Sequence, residues 1–241
     1  MLNSVFGTLQ RQCVVICFIF VFAVKLHAQY SMGNTGLLNI PTADMQETGT
    51  FMAGGNYLPQ EMMPFNYNTG NYFVNITFLS ALELSYRCTL LKRAHTYTQK
   101  RGYYQQDRSV TARLRLLKEK KWYPSIVIGT NDPWKDMGNN YFASVYGVVT
   151  KGFCLAEGDR LALTAGYYIP LNKFHVQDGA FGGISYAPAF CRSVKFMAEY
   201  DSKGYNVGIA ALVWKHLSLH IFTKEFSCIA GGLRYECTLI H

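Results

Sequence analysis

Apolar and polar residues alternate with a period of two along most of this chain. In segment 81–91, Leu82, Leu84, Tyr86, Cys88 and Leu90 share one face, and Glu83, Ser85, Arg87 and Thr89 share the other. In 108–117, Val110, Ala112, Leu114 and Leu116 oppose Thr111, Arg113 and Arg115. In 194–200, Val194, Phe196, Ala198 and Tyr200 oppose Lys195 and Glu199. Successive side chains of a strand point to opposite faces, whereas helical spacing of 3.6 fits none of these segments. Weaker copies of the pattern fall at 50–58, 70–79, 122–130, 140–150, 160–168, 179–187, 204–213, 215–223 and 228–240. The pattern predicts about twelve strands and an all-β fold.

The connections alternate as well. Long polar stretches at 58–69, 92–107, 131–139 and 169–178 fall on one side of the strand succession. Short turns at Ser80 and 118–121 fall on the other, although 151–158 is long there and 201–203 is short opposite. An even number of antiparallel strands with long connections at one end is the signature of an outer-membrane β-barrel. Tyr72, Trp122, Tyr123, Tyr141, Tyr167, Tyr168, Tyr205 and Trp214 lie near segment ends, where aromatic girdles meet the lipid interfaces. A sheet in lipid cannot leave its edge groups unpaired, so it must close. A periplasmic β-sandwich or lipocalin-like barrel would alternate too, with its polar face outward.

Composition and leader favour the lipid-facing alternative. Charged residues are only 16% and aromatics reach 15%. Neither disorder nor a coiled coil has that composition. The one long apolar run, 13–24, is too short for a spanning helix. Preceded by Arg11 and followed by Lys25-Leu26-His27-Ala28, it reads as an export signal over 1–28. Segment 29–49 is then a candidate lumen plug and 50–241 the barrel. Cys88, Cys154, Cys191, Cys228 and Cys237 remain after the leader, without any C-x-x-C. That argues against a disulfide framework or a zinc knuckle and leaves a single bridge such as Cys228–Cys237 open.

Candidate chemistry is sparse. His216 and His220 alternate with Leu217, Leu219 and Ile221, which marks a strand. Four strand residues separate the rings by roughly 13 Å, too far to chelate one ion together. They read as polar lumen residues, and no metal or cofactor is expected. Glu199, Asp201 and His175 could form an acid–base set, but neither a G-x-S-x-G elbow nor an H-E-x-x-H helix occurs, and no enzyme is expected. The formal charge of +8 is better placed. Lys92, Arg93, Lys100, Arg101 and Arg108 flank one outer loop, interleaved with Tyr97, Tyr103 and Tyr104. Arg87, Arg113 and Arg115 would line the lumen as a basic strip. Such groups attract anionic saccharide or lipid phosphate, or hold the N-terminal segment. Pairing with Glu83, Glu119 or Glu199 is the purely structural alternative.

Four stretches resemble the YjbH family of outer-membrane proteins tied to exopolysaccharide production. They are GNTGLLNIPTADM at 33–45, DRSVTARLRLLKEKKWYPSIVIGTNDPW at 107–134, YFASVYGVVTKGF at 141–153, and FGGISYAPAF with VKFMAEYDSKGYNVGIAA within 181–211. Gly36, Pro41, Thr42, Asp107, Arg108, Glu199, Tyr200 and Asp201 are motif positions within them. The resemblance implies an outer-membrane barrel of a Gram-negative bacterium whose genes accompany capsule or exopolysaccharide synthesis. It carries over no catalytic residue. The expected partners are outer-membrane lipid and lipopolysaccharide, an anionic polysaccharide and export-machinery proteins, with no nucleic acid. A structural or adhesion barrel without a transport role, or an outer-membrane enzyme, stands as the alternative.

Overall fold

A computed structural model describes residues 30–92, 103–133, 140–155 and 158–239. The expected export signal and most of the predicted 92–107 loop lie outside the described residues.

The strands are β1 (Thr50–Leu58), β2 (Thr69–Phe78), β3 (Leu82–Lys92), β4 (Tyr103–Leu117), β5 (Ser125–Asn131) and β6 (Ser144–Cys154). They continue as β7 (Arg160–Pro170), β8 (Gly179–Ala187), β9 (Val194–Tyr200), β10 (Tyr205–Trp214), β11 (Leu217–Lys224) and β12 (Cys228–Thr238). Each strand pairs antiparallel with its sequence neighbours, and β1 closes on β12 from Thr50↔Thr238 to Tyr57↔Gly231. Among the described residues no strand is left at a sheet edge, so each has a hydrogen-bonded neighbour on both sides.

Strand β4 begins at Tyr103 rather than near residue 108, because its early polar residues pair with the end of β3, as in Thr89↔Asp107 and Lys92↔Tyr103. Strand β6 likewise runs on to Cys154, so the predicted long connection at 151–158 shortens. The long connections gather at the end opposite Thr50 and Thr238, hereafter the mouth. The termini and the shorter turns gather at the base.

Outward and inward faces separate by chemistry. Val110, Leu114, Ile128, Phe196, Leu219, Ile221 and Leu233 are exposed on the outside. Glu83, Ser85, Arg87, Thr89, Ser109, Thr111 and Arg113 are buried inside. That is the reverse of a water-soluble barrel. Tyr72, Tyr167, Tyr205 and Trp214 stand exposed as girdle residues, but Tyr168 turns inward and is 1% exposed. It bonds Tyr30 instead of lipid. Cys228 and Cys237 are both free thiols. They sit at opposite ends of β12, roughly 30 Å apart at strand rise, so they cannot be bridged.

Candidate functional site

The lumen is occupied by the chain's own N-terminal segment. Tyr30, Asn34, Leu38, Ile40 and Ala43 are fully buried. The backbone turns at Gly33, φ +88, where a side chain would also collide with Phe73. A small hairpin then forms through the Gly36↔Pro41 bridge and Leu37 N–H to the Ile40 carbonyl. A Cβ at Gly36 would run into the Ile40 carbonyl and Tyr30, so the tight return requires glycine.

So short a hairpin leaves most of its N–H and C=O groups without a ladder. Buried groups of that kind must find other partners, and the lumen supplies them. Glu83 accepts from Thr35 N–H (2.8 Å) and from the Asn75 amide (2.8 Å). Glu199 accepts from Leu38 N–H (2.9 Å), Asn39 N–H (2.6 Å) and the Asn206 amide (2.9 Å). Arg113 donates to the carbonyls of Thr35 (2.7 Å), Thr42 and Asp44 (3.2 Å), and pairs with Glu83 at 2.7 Å. Asn56 and Asn71 both donate to the Ser31 carbonyl, and Asn75 to that of Gly33. On the opposite wall, Leu37, Leu38, Ile40 and Met45 pack against Val127, Val148, Met197, Leu212 and Phe222.

The plug is therefore held by polar residues of β1 to β4 and by Glu199 of β9, with an apolar wall drawn from β5 to β12. Of the barrel-wall residues that hold the plug, the sequence marks the charged ones. Asn56, Asn71 and Asn75 were missed, although asparagine at inward phases of β1 and β2 is the readable signal.

The three arginines do not form one strip. Arg113 faces Glu83 across the β3–β4 pair, while Arg87 faces Ser109 four positions nearer the mouth. Arg115 is half-buried at the base and donates to the Ser80 carbonyl. Facing residues on paired strands are neighbours, and a four-residue offset separates Arg87 from Arg113 by roughly 13 Å. Arg87 touches Met32 Sδ and Ser109 and lies 4.3 Å over the Phe142 ring.

Other motif positions divide by face. Asp107 is buried inside near Arg87, Asp201 ties Asn39 (2.7 Å) to Lys224 (3.3 Å), and Arg108 and Tyr200 are exposed. Just beyond β5, burial pushes the Asp132 carboxyl up to about 6; neighbouring Asp107 adds to the rise and Arg87 opposes it. His220 is buried in the lumen as expected. His216 instead sits in the exposed β10–β11 turn, bonded to the Glu236 carbonyl, because β11 starts only at Leu217. His175 pairs with Asp178 (2.9 Å) in the β7–β8 loop and meets neither Glu199 nor Asp201. Among the described residues, no group of three or more His, Cys, Asp or Glu side chains could hold a metal.

Above the plug, at the mouth, lies a cavity of about 390 Å³. Ser31, Met32 and Asn39 of the plug contribute to its lining, as do Arg87, Tyr168 and Lys203.

Fold and interior together define a closed twelve-stranded barrel with an apolar exterior and a clamped internal plug. The family of exopolysaccharide biosynthesis protein YbjH matches residues 28–170, more than half of the chain, and the chain belongs to that family. The match covers the plug and the strands β1–β7 that hold most of its clamp. Among solved structures, an outer membrane channel from Pseudomonas putida is similar at 10% identity and a TM-score of 0.44, over 83% of this chain and 98% of that one. No curated protein matches the chain.

Proposed function

We propose that the protein is an outer-membrane barrel of a Gram-negative bacterium that serves as an accessory in exopolysaccharide or capsule export or assembly. The inverted polarity of the barrel carries the membrane reading. A band of Leu, Ile, Val and Phe faces outward around charged groups that face inward, and only lipid makes that arrangement favourable. Family membership supports the link to exopolysaccharide. The expected surroundings are outer-membrane lipid and lipopolysaccharide, with an anionic polysaccharide and export-machinery proteins as partners. The reading assigns the chain no chemical step of its own.

The filled lumen favours a second reading, a closed structural or adhesion barrel with no transport role. One measurement tests what both readings share and a second separates them. Cell fractionation with heat-modifiable gel mobility tests the membrane assignment, and recovery in the soluble periplasmic fraction would overturn it. Deletion of the gene should remove or reduce surface polysaccharide. Unchanged polysaccharide would leave the structural reading standing.

A further inference from the structure

We propose that the mouth cavity is a binding site for a carboxylate-bearing sugar, with Arg87 as its anionic anchor and the plug as its floor. The inference rests on the exopolysaccharide reading and adds a place and a ligand class to it.

Size and lining point to a saccharide. A cavity of about 390 Å³ lies in the range of small-ligand sites. Phe174 offers a half-exposed ring, and the amides of Asn39, Asn71 and Gln177 line the cavity, each bonded inside the protein through one N–H, to Asp201, Ser31 and Tyr30 respectively, and carrying a second. A ring that stacks on a sugar face and amides that bond its hydroxyls suit a polyhydroxylated ligand better than a purely apolar one.

Charge points to an acidic sugar. Arg87, Lys203 and Lys224 line the cavity as cations, against Glu61 and Asp201. Asp201 and Lys224 pair with each other, and Asn39 and Asn206 also bond Asp201, which leaves Arg87 and Lys203 against Glu61. Arg87 is 0% exposed, yet its Nε has no hydrogen-bond partner, and one of its other donors meets only a thioether sulfur. A guanidinium carries donors in a fork that matches a carboxylate. Neither Asp107 nor Asp132, the acids nearest Arg87, lines the cavity. A buried cation with unused donors beside a cavity is thus poised for an external anion.

The floor gives the site a second property. Met32 touches Arg87, and Asn39 bonds Asp201. Both belong to the plug, so a ligand here rests on the segment that fills the barrel. The cavity receives a sugar from the mouth and does not pass it through.

The test uses the full mature barrel in detergent micelles. Calorimetric titration with digalacturonic acid and dimannuronic acid is compared with neutral cellobiose. At least one acidic probe should bind, and cellobiose should bind at least tenfold more weakly. Arg87→Gln should weaken acid binding by about tenfold or more, since a charged hydrogen bond is being lost. Lys203→Glu, at the exposed rim, tests the same charge preference without touching the interior and should also weaken it. Heat-modifiable mobility reports whether each variant still folds. If Arg87→Gln fails to fold, Lys203→Glu decides. The proposal is overturned if neither acid binds, if cellobiose binds equally well, or if folded variants bind like the parent. Deletion of the gene tests the parent reading separately. Lost surface polysaccharide with an empty cavity would sink this site and spare that reading. Acid binding with unchanged polysaccharide would do the reverse.

Discussion

Replacing Arg113 by methionine should unlock the plug. The substitution keeps an unbranched stem of similar length and removes the guanidinium. Arg113 and Glu83 are both 0% exposed at their side chains and 2.7 Å apart. Removing one partner of a buried pair costs about 3–5 kcal/mol, because the other charge stays buried. The carbonyls of Thr35, Thr42 and Asp44 lose their donor in the same step. Glu83 retains Thr35 N–H and the Asn75 amide, which places the loss toward the lower figure. About 3 kcal/mol shifts a plug-in to plug-out equilibrium by roughly 10²-fold. Planar-bilayer recording should then show openings that the parent barrel lacks, and heat-modifiable mobility should be lost at lower temperature. Adding Glu83→Gln should restore part of the loss, since the stranded carboxylate is gone. The single and double changes should therefore deviate from additivity by at least about 1 kcal/mol. Parent-like conductance and stability in Arg113→Met would refute the clamp. Strict additivity would refute the pairing.

Leu114→Arg should impair assembly, because an arginine on the lipid face costs about 2–4 kcal/mol at the midplane. Thr111→Arg should impair it too, for a different reason. Thr111 is fully buried and bonded to Ser85 (2.6 Å) and to Asn34 of the plug (2.9 Å). Removing the plug residues 30–46 should rescue Thr111→Arg and leave Leu114→Arg defective; any other pattern of rescue in membrane-fraction yield would contradict the assignment of faces. An epitope inserted after Gln99 should be reachable by antibody on intact cells, and reachability only after outer-membrane rupture would invert the topology. Asp132 is raised to about 6 in the fold, so the folded state binds its proton more tightly than the unfolded chain does. Its contribution to stability is therefore fullest below about pH 4 and is lost as pH rises toward about 6. Thermal midpoints of Asp132→Asn between pH 4 and pH 7 should lack that fall, and an unchanged profile would show that Asp132 is not its source.

The sequence alone determined the strands and which residues share a face. Strand periodicity is local: Leu84 and Leu114 had to share the phase opposite Arg87 and Arg113 whatever the partner strand was. Even strand number and the grouping of long connections followed from counting along the chain. What filled the barrel did not follow. Glu83, Glu199 and Arg113 read equally well as a ligand strip or as a set of internal pairs, because their meaning depends on which backbone groups arrive opposite them. Register placed Arg113 beside Glu83 and sent Arg87 up to the mouth. Closure then brought Glu199 of β9 onto Leu38 and Asn39, 161 and 160 residues away in the chain. Tyr168 looked like an interface aromatic until the fold turned it inward against Tyr30. A hairpin too short to satisfy its own backbone must borrow partners from the wall around it. Only the closed barrel decides which residues form that wall.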